Sequence, residues 1–278
     1  MESVLVSDGD VAHAGAVELE NVAVAFAEAS GKPFVAVENA TLKVREGEFV
    51  AIVGPTGCGK STLLNVAAGL LRPSAGRCRV DGAQVTGVNR QAGYLFQADA
   101  LMPWKTAIDN VAIGLEVRGT SRRAAREQAT LWLGRVGLSG FGARFPHQLS
   151  GGQRKRVSLA QVLILQPKLL LMDEPFGPLD AQTRALMGEL LLTLWSADRK
   201  AVMFVTHDLE EAIALADRVV IMSAGPRARI IGDHRVPLAR PRDITESRHL
   251  PGFIETHKGI WQQLKREVLK AYTGSGHA

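Results

Sequence analysis

The chain has 278 residues, of which 46% are hydrophobic and 22% are charged, and its formal net charge is +5 at pH 7. This composition predicts a packed core and excludes a largely disordered chain. The two cysteines exclude a disulfide framework, and the mild basic excess suits nucleotides, anionic membranes or nucleic acid without choosing among them.

The first predicted elements follow a loose tail over residues 1–16. VELENVAVAF, from Val17, and ENATLKVREGEFVAIVG, from Glu38, are predicted as two strands because β-branched residues alternate or run together in them. The second strand is expected to run unbroken into GPTGCGK. A helix over STLLNVAAGLL follows, and Pro73 is expected to stop it.

Helical spacing then dominates residues 98–161, in DNVAIGLEV, SRRAAREQATLWLGRV and QRKRVSLAQVLIL. After this insert, KLLLMDEP, AVMFVTHD and RVVIMSAG are predicted as strands and AQTRALMGELLLTLW and LEEAIALADR as helices. Strands alternating with helices predict a mostly parallel sheet covered on both faces. We expect one α/β domain over residues 17–235 and a helical extension over residues 236–278.

The segment FIETHKGIWQQLKREVLKAY has the spacing of an amphipathic helix, which we expect to pack on the protein's own core. The predicted apolar stripe consists of Phe253, Ile254, His257, Ile260, Trp261, Leu264, Val268 and Tyr272.

The segment GPTGCGKST matches G-x-x-x-x-G-K-[ST] at every fixed position, after a predicted strand and before a predicted helix. Backbone N–H groups of such a loop wrap phosphates. Lys60 is expected to reach the β- and γ-phosphates, and Ser61 to ligate Mg²⁺. The predicted ATP-binding residues here are Gly54, Pro55, Thr56, Gly57, Cys58, Gly59, Lys60, Ser61 and Thr62.

Two carboxylates end the apolar strand LLLMDEP, at the edge of a parallel sheet where ligands bind. Asp173 is expected to hold the Mg²⁺ shell, and Glu174 to polarise an attacking water. A second glycine-containing loop, LSGGQRKR, starts at Leu149 and precedes a predicted helix. It too is typical of an anion site, which leaves the question of why one chain has two.

Taken together, these motifs resemble the ATP-binding cassette proteins, the motor subunits of ABC transporters, over about Val17 to Ile231. LSGGQ is the signature of that family. The resemblance implies an α/β P-loop NTPase (RecA-like) core with an N-terminal antiparallel β subdomain and a helical insert. It also implies ATP and Mg²⁺ as cofactors and hydrolysis of ATP to ADP and phosphate.

Further roles follow only from the resemblance. Phe26 matches the aromatic residue that stacks on adenine, although an ordinary strand aromatic is the alternative. Gln97 matches the Q-loop glutamine that contacts Mg²⁺ and water, and Asp180 lies in the D-loop. His207 matches the switch histidine at the γ-phosphate, so Glu174, His207 and Gln97 form the expected catalytic set.

The resemblance also explains the second loop, because two cassettes of this family pack head to tail around two ATP molecules. The signature loop of one copy would grip the γ-phosphate held by Lys60 of the other, which implies an isologous dimer. The residues of that loop are Leu149, Ser150, Gly151, Gly152 and Gln153. The sequence departs from the family at Pro178 in the D-loop and at Gln161 and Val162, but not at the ATP motifs.

Within the family, the single set of motifs without a fused membrane domain resembles importer subunits. ALMPWKTAIDNVAIGLEVRG, FGPLDAQTR and GFIETHKGIWQQLKREV are similar to the nitrate, sulfonate and taurine group. The segment around Trp104 lies where the family receives a coupling helix of its permease. Packing of Trp104 inside the insert is the alternative.

An importer subunit implies an integral-membrane permease and, indirectly, an extracytoplasmic solute-binding protein as partners, at the cytoplasmic face of the inner membrane. MESVLVSDGD lacks the features of a signal peptide, and no uncharged apolar run reaches the roughly 18 residues that cross a bilayer. The alternative is a cassette of lipid or lipoprotein extraction or of cell division. A nucleic-acid ATPase would need a long coiled coil, so no nucleic-acid partner is expected.

Overall fold

The computed structural model describes residues 16–27 and 31–274, so the predicted N-terminal tail, except Ala16, lies outside the described residues. The strands are β1 Val17–Phe26, β2 Phe34–Val44, β3 Phe49–Val53, β4 Ala75–Val80, β5 Ala83–Gln84, β6 Ala92–Leu95, β7 Leu169–Asp173, β8 Ala201–Val205, β9 Arg218–Met222 and β10 Ile230–Arg235. The helices are α1 Lys60–Ala67, α2 Ala107–Val117, α3 Arg122–Arg135, α4 Gly151–Leu163, α5 Ala181–Ala197, α6 Leu209–Leu215, α7 Ile244–Ser247 and α8 Pro251–Gly274.

Two sheets organise these elements. The smaller sheet is antiparallel with the strand order β2-β1-β4-β5, and the larger has the order β10-β9-β3-β8-β7-β6. In the larger sheet every neighbouring pair is parallel except β9 with β10. The strands β3, β7 and β8 are adjacent, so their carboxyl ends bring three motif-bearing loops to one edge.

Three apolar cores hold the layers together. One packs a face of the larger sheet against α5, α6 and α8, with Phe49 and Phe204 fully buried. A second fills the space between the other face, α1 and the antiparallel sheet. A third joins α2, α3 and α4 around Val111 and Val157. The predicted α/β architecture with an antiparallel subdomain and a helical insert is confirmed.

The predicted continuous strand into GPTGCGK is wrong, because the chain changes sheets in the middle of it. β2 belongs to the antiparallel sheet and β3 to the parallel one. A turn separates them, in which the N–H of Glu48 donates to the carbonyl of Arg45 at 3.2 Å and Gly47 has φ +68°. Arg45, Glu46, Gly47 and Glu48 interrupt the apolar pattern at this turn, a signal that the single-strand prediction passed over.

Helix α1 is shorter than predicted and ends well before Pro73. Gly69 adopts φ +67°, and the N–H groups of Leu70 and Leu71 both donate to the carbonyl of Asn65. This closing turn satisfies the last carbonyls of the helix. The strands β4, β5, β6 and β10 were not predicted. They are short, and exposed or half-buried positions interrupt their apolar pattern.

The C-terminal helix α8 packs on the protein's own core, as expected, but with a narrower stripe than predicted. Phe253, Ile260 and Leu264 are buried, while Ile254 and Trp261 are exposed. Tyr272 is also exposed. The buried face instead includes Glu267, whose carboxylate accepts the N–H of Ala224 at 2.9 Å. Among the described residues, no helix has the length and apolar character to cross a bilayer.

Candidate nucleotide-binding and hydrolysis site

The loop between β3 and α1 leads directly into helix α1, and the N-terminus of that helix is available to a ligand. Gly59, the residue before α1, has φ +93° and supplies no side-chain cap. A Cβ atom at Gly59 would approach Cγ2 of Val37 to 2.6 Å, so this position requires glycine for both conformation and space. The uncapped N–H groups and the helix dipole make the loop an anion site.

Lys60 is held inside this loop. Its side chain is buried, and Nζ donates to the carbonyls of Gly54 at 2.9 Å and Pro55 at 3.0 Å. The loop therefore carries a positive charge at the helix start before any ligand arrives. A polyphosphate is the ligand that such a backbone cradle with a central cation suits best.

Ser61 and Asp173 lie together although 112 positions separate them in the sequence. Ser61 Oγ donates to Asp173 Oδ1 at 2.8 Å, and Tyr94 Oη lies 3.5 Å from Asp173 Oδ2. Burial and the Asp173 charge raise the pKa of Tyr94, which keeps its phenol a donor. Burial also raises the pKa of Asp173, an effect that the Ser61 hydrogen bond opposes.

This pair of oxygen atoms fits a magnesium ion. Mg²⁺ prefers oxygen ligands and is bound by one or two protein oxygens together with phosphates and waters. Ser61 Oγ and Asp173 Oδ1 are oxygens of this kind, held side by side next to the phosphate loop by their 2.8 Å hydrogen bond. Among the described residues no cluster of three His, Cys, Asp or Glu side chains could hold a metal.

Glu174 and His207 meet across the ends of β7 and β8. His207 Nδ1 lies 3.1 Å from Glu174 Oε2. Glu174 has φ +42°, which a side chain other than glycine adopts at a cost, and its N–H donates to the carbonyl of Val205 at 2.9 Å. The arrangement places a carboxylate and an imidazole in contact at the carboxyl ends of the strands, directly after Asp173 in the chain, and groups of these two types can act in proton transfer.

Asp180 caps helix α5 rather than pointing into the loop as a free acid. Its carboxylate accepts the N–H of Thr183 at 2.9 Å, and this hydrogen bond lowers the pKa of Asp180. Arg184, one turn later, donates to the carbonyl of Leu179 and to Asp208 Oδ2, each at 3.0 Å. The D-loop is thereby tied to the residue after His207.

The signature loop is a capped helix start. Ser150 Oγ accepts the N–H of Gln153 at 3.2 Å, and Gln153 Oε1 accepts the N–H of Ser150 at 2.9 Å. A Cβ atom at Gly152 would lie 2.8 Å from Cγ2 of Thr183, so the loop packs closely on α5. Among the described residues no hydrogen bond or ion pair joins it to the loop that holds Lys60.

Phe26 and Gln97 lie at exposed positions. Phe26 ends β1 opposite Phe34 of β2 and is 42% exposed, which leaves its ring face available. Gln97 follows β6, and its carbonyl accepts a hydrogen bond from Lys155 at 3.0 Å. Sequence reasoning did not single out Tyr94, Lys155 or Arg184. The sequence offers a signal for only one of these three residues, since Lys155 lies on the predicted apolar face of α4.

Comparison with known proteins agrees with this geometry. The family model described as ABC transporter matches residues 37–177. An uncharacterized ABC transporter ATP-binding protein of Methanocaldococcus jannaschii is 43% identical over 255 residues, 92% of this chain and 93% of that protein. The taurine import ATP-binding protein TauB of Yersinia pestis is 46% identical over 206 residues, 74% of this chain and 80% of that protein.

A solved structure shares the fold. The dimeric post-hydrolysis state of the ATP-binding cassette MJ0796, bound to ADP and Pi, has a TM-score of 0.71 and 31% identity, and it covers 80% of this chain and 100% of that one. This structural similarity and the matched family model agree on the family of the chain. The chain belongs to the ABC transporter family, as an ATP-binding subunit that couples ATP hydrolysis to transport.

Proposed function

We propose that this subunit powers import of a small solute of the nitrate, sulfonate or taurine kind. The observation that carries the proposal is the 46% identity to a taurine import ATP-binding protein over 206 residues. In this proposal a permease and an extracytoplasmic binding protein determine the solute specificity, and the cassette supplies the free energy of ATP hydrolysis.

The working unit in this proposal is a head-to-tail dimer. Lys60 and the uncapped start of α1 hold the triphosphate in one copy, while Ser150 and the N–H groups that follow it approach the same γ-phosphate from the other. The separation of the two loops within one chain supports this arrangement, and so does the dimeric form of the similar MJ0796 cassette. Closing on ATP and opening after hydrolysis would move the attached permease.

Hydrolysis in the proposed site needs a metal, a base and charge stabilisation. Ser61 and Asp173 would hold Mg²⁺, which supplies neutralisation of phosphate charge, and Gln97 would contribute from the Q-loop. Glu174 would orient the attacking water while His207 holds the Glu174 carboxylate through its Nδ1 contact. Phe26 would stack on adenine. The positive charge of Lys60 would then stabilise the charge that develops on the γ-phosphate.

The contact with the permease is proposed at the segment around Trp104. Trp104 is 74% exposed, which contradicts the alternative that it packs inside the helical insert. The carbonyl of Met102 accepts from Asn110, and the N–H of Met102 donates to the same buried side chain, so these two hydrogen bonds tie the segment to helix α2. An exposed indole on a fixed loop suits a hydrophobic partner surface at the cytoplasmic face of the membrane.

The test is recovery of the tagged chain from detergent-solubilised membranes, followed by ATPase assays of the recovered complex. We expect a co-purifying permease, with turnover stimulated by a binding protein loaded with taurine, another sulfonate or nitrate. Trp104→Ala should lose the permease while keeping ATP affinity. The matched control is Trp261→Ala, which removes an equally large but distant indole that is 46% exposed.

The outcomes separate the proposal from its alternative. Stimulation by one loaded binding protein names the solute class. Recovery of a lipid-extraction or cell-division partner would contradict import while leaving the ATPase assignment intact. Equal permease recovery for Trp104→Ala and the parent would contradict the proposed docking segment alone.

A further inference from the structure

Helix α4, which begins in the signature loop, carries a lysine that none of the proposed catalytic roles uses. The Lys155 side chain is 3% exposed, although a lysine is almost never buried unless it is paired. It lies five residues after Ser150 and is buried beside Val157 and Leu159 in the same helix. A charge in this position needs partners whose interactions offset the free-energy cost of its desolvation.

The ammonium group of Lys155 makes two hydrogen bonds and one ion pair, and all three partners lie in the Q-loop segment. Nζ is 3.3 Å from the carbonyl of Phe96, 3.0 Å from the carbonyl of Gln97 and 3.1 Å from Asp99 Oδ1. The ammonium group of Lys155 therefore holds the backbone of the segment that contains Gln97. None of these contacts depends on the exposed Gln97 side chain.

Arg154 completes the link from the other side of Asp99. Its Nε donates to Asp99 Oδ2 at 3.0 Å, and its NH1 donates to the carbonyl of Leu149 at 2.7 Å. Leu149 is the first residue of the signature loop. Asp99 is thus held by two consecutive cations of α4, and one of them also holds the loop that leads into that helix.

We infer that Lys155 and Arg154 are positioning residues that make the Q-loop and the signature loop move as one body. The inference rests on the proposed function, in which Gln97 serves the ATP of its own chain and the signature loop serves the ATP of the partner. A displacement of the Q-loop by the permease would reach the partner's ATP through Asp99. The coupled element is an ion cluster with a buried lysine at its centre and the partly exposed Asp99 and Arg154 beside it.

The test uses Lys155→Met, which keeps the length and apolar stem of the side chain but removes its donors. Lys168→Met is the matched control, because Lys168 forms an ion pair with Asp81 at the same 3.0 Å range but is 68% exposed. Both substitutions are made in a Glu174→Gln background, which is expected to hold ATP without consuming it. Asp99→Asn is the second variant, in case Lys155→Met does not fold.

Three measurements separate positioning from mere stability. Binding of a fluorescent ATP analogue to the monomer should stay within about twofold of the parent, because the Lys60 loop is untouched, while ATP-dependent dimerisation in the ultracentrifuge should weaken about tenfold. Amide hydrogen exchange should accelerate at residues 97–99 and at residues 150–153 together. Lys168→Met should change none of the three.

Two results would overturn the inference. One is dimerisation of Lys155→Met and Asp99→Asn that equals the parent. The other is faster exchange confined to α4, with the Q-loop unaffected. Failure of the parent itself to dimerise with ATP would instead contradict the proposed head-to-tail unit, and the exchange experiment would still decide whether the two loops are linked.

Discussion

The chain has two glycine-containing loops that each lead into a helix, and the structure builds them in opposite ways. The loop before α1 ends in Gly59, which offers no side-chain cap, and encloses the cation of Lys60. The loop before α4 ends in Ser150, whose hydroxyl already accepts the N–H of Gln153. Of the three cations that follow it, Arg154 and Lys155 are engaged with the Q-loop and Arg156 donates to the carbonyl of Val136.

This difference shows what each loop can do alone. The first has free backbone donors, a central cation and the nearby oxygens of Ser61 and Asp173, so it can hold a polyphosphate within one chain. The second has an exposed serine and a helix start, but the three cations that follow the serine are engaged elsewhere, so it is suited to add to a phosphate that is already held. In the proposed dimer, the second loop of one copy would complete the site built by the first loop of the other.

Removing the cation from the first loop should have the largest effect on binding. Lys60→Ala is expected to weaken ATP binding to the monomer about 100-fold, because charge-assisted contacts to phosphate are lost. Isothermal titration with ATP and Mg²⁺ measures this. Retention of parental affinity would contradict the assignment of Lys60 as the phosphate-binding cation of this loop.

Removing the base should separate binding from turnover. Glu174→Gln is expected to bind ATP with parental affinity and form a stable ATP-bound dimer, while turnover falls about 1,000-fold. The amide keeps the size of the side chain and removes the carboxylate. Titration with ATP, ultracentrifugation with ATP and phosphate release measure the three properties, and normal hydrolysis would exclude the assigned role of Glu174.

An acid in the second loop should affect turnover without affecting binding to the monomer. Gly151→Asp is expected to reduce turnover about 100-fold by repelling the phosphate of the partner copy. The nearest atoms to a Cβ at Gly151 lie 3.8 Å away, so the fold has room for the change. Gly151→Ala is the control, and weaker ATP binding to the monomer would contradict the division of labour between the loops.

A fourth experiment measures how the free energy of unfolding depends on pH, and it tests a titratable group, Glu211, that lies in neither loop. Burial raises the pKa of Glu211 from 4.5 to about 7, and its Oε2 accepts the hydroxyl of Thr206. The folded state therefore keeps a proton that the unfolded chain releases near pH 4.5, so the free energy of unfolding falls as pH rises from about 4.5 to about 7.

Glu211→Gln removes this titration. The variant should match the parent near pH 4.5 and exceed it above pH 7 by at most about 3 kcal/mol. Urea unfolding between pH 4.5 and pH 8 without nucleotide measures the difference. A gap that does not grow with pH would show that Glu211 is already ionised in the folded protein at low pH.

Much of the fold and the positions of the motif loops could be predicted from the sequence, because their signals are local. Buried strands, helical spacing and the G-x-x-x-x-G-K-[ST] pattern each occupy a short segment. What could not be predicted depends on tertiary contacts. The transfer of the chain from one sheet to the other at the Gly47 turn depends on how the strands pair, and so does the pairing of β10 along the edge of β9.

The same reason explains which parts of the site were missed. The spacing between Lys155 and Asp99, or between Arg184 and Asp208, has no sequence pattern, since each pair meets only after distant elements pack. The roles of Phe26, Gln97 and His207 remain predictions from family resemblance. The structure adds that His207 and Glu174 are in contact and that the ring of Phe26 is accessible.

The hydrogen bonds of Lys60 to Gly54 and Pro55 also affect which anions the loop prefers to bind. An incoming anion must offer this ammonium group more than the two carbonyls it already has. A triphosphate can replace them and fill the surrounding backbone donors at once, whereas a single small anion fills fewer of those donors. The resting loop is therefore expected to bind small anions more weakly than a triphosphate, including any small anionic solute that the complex delivers.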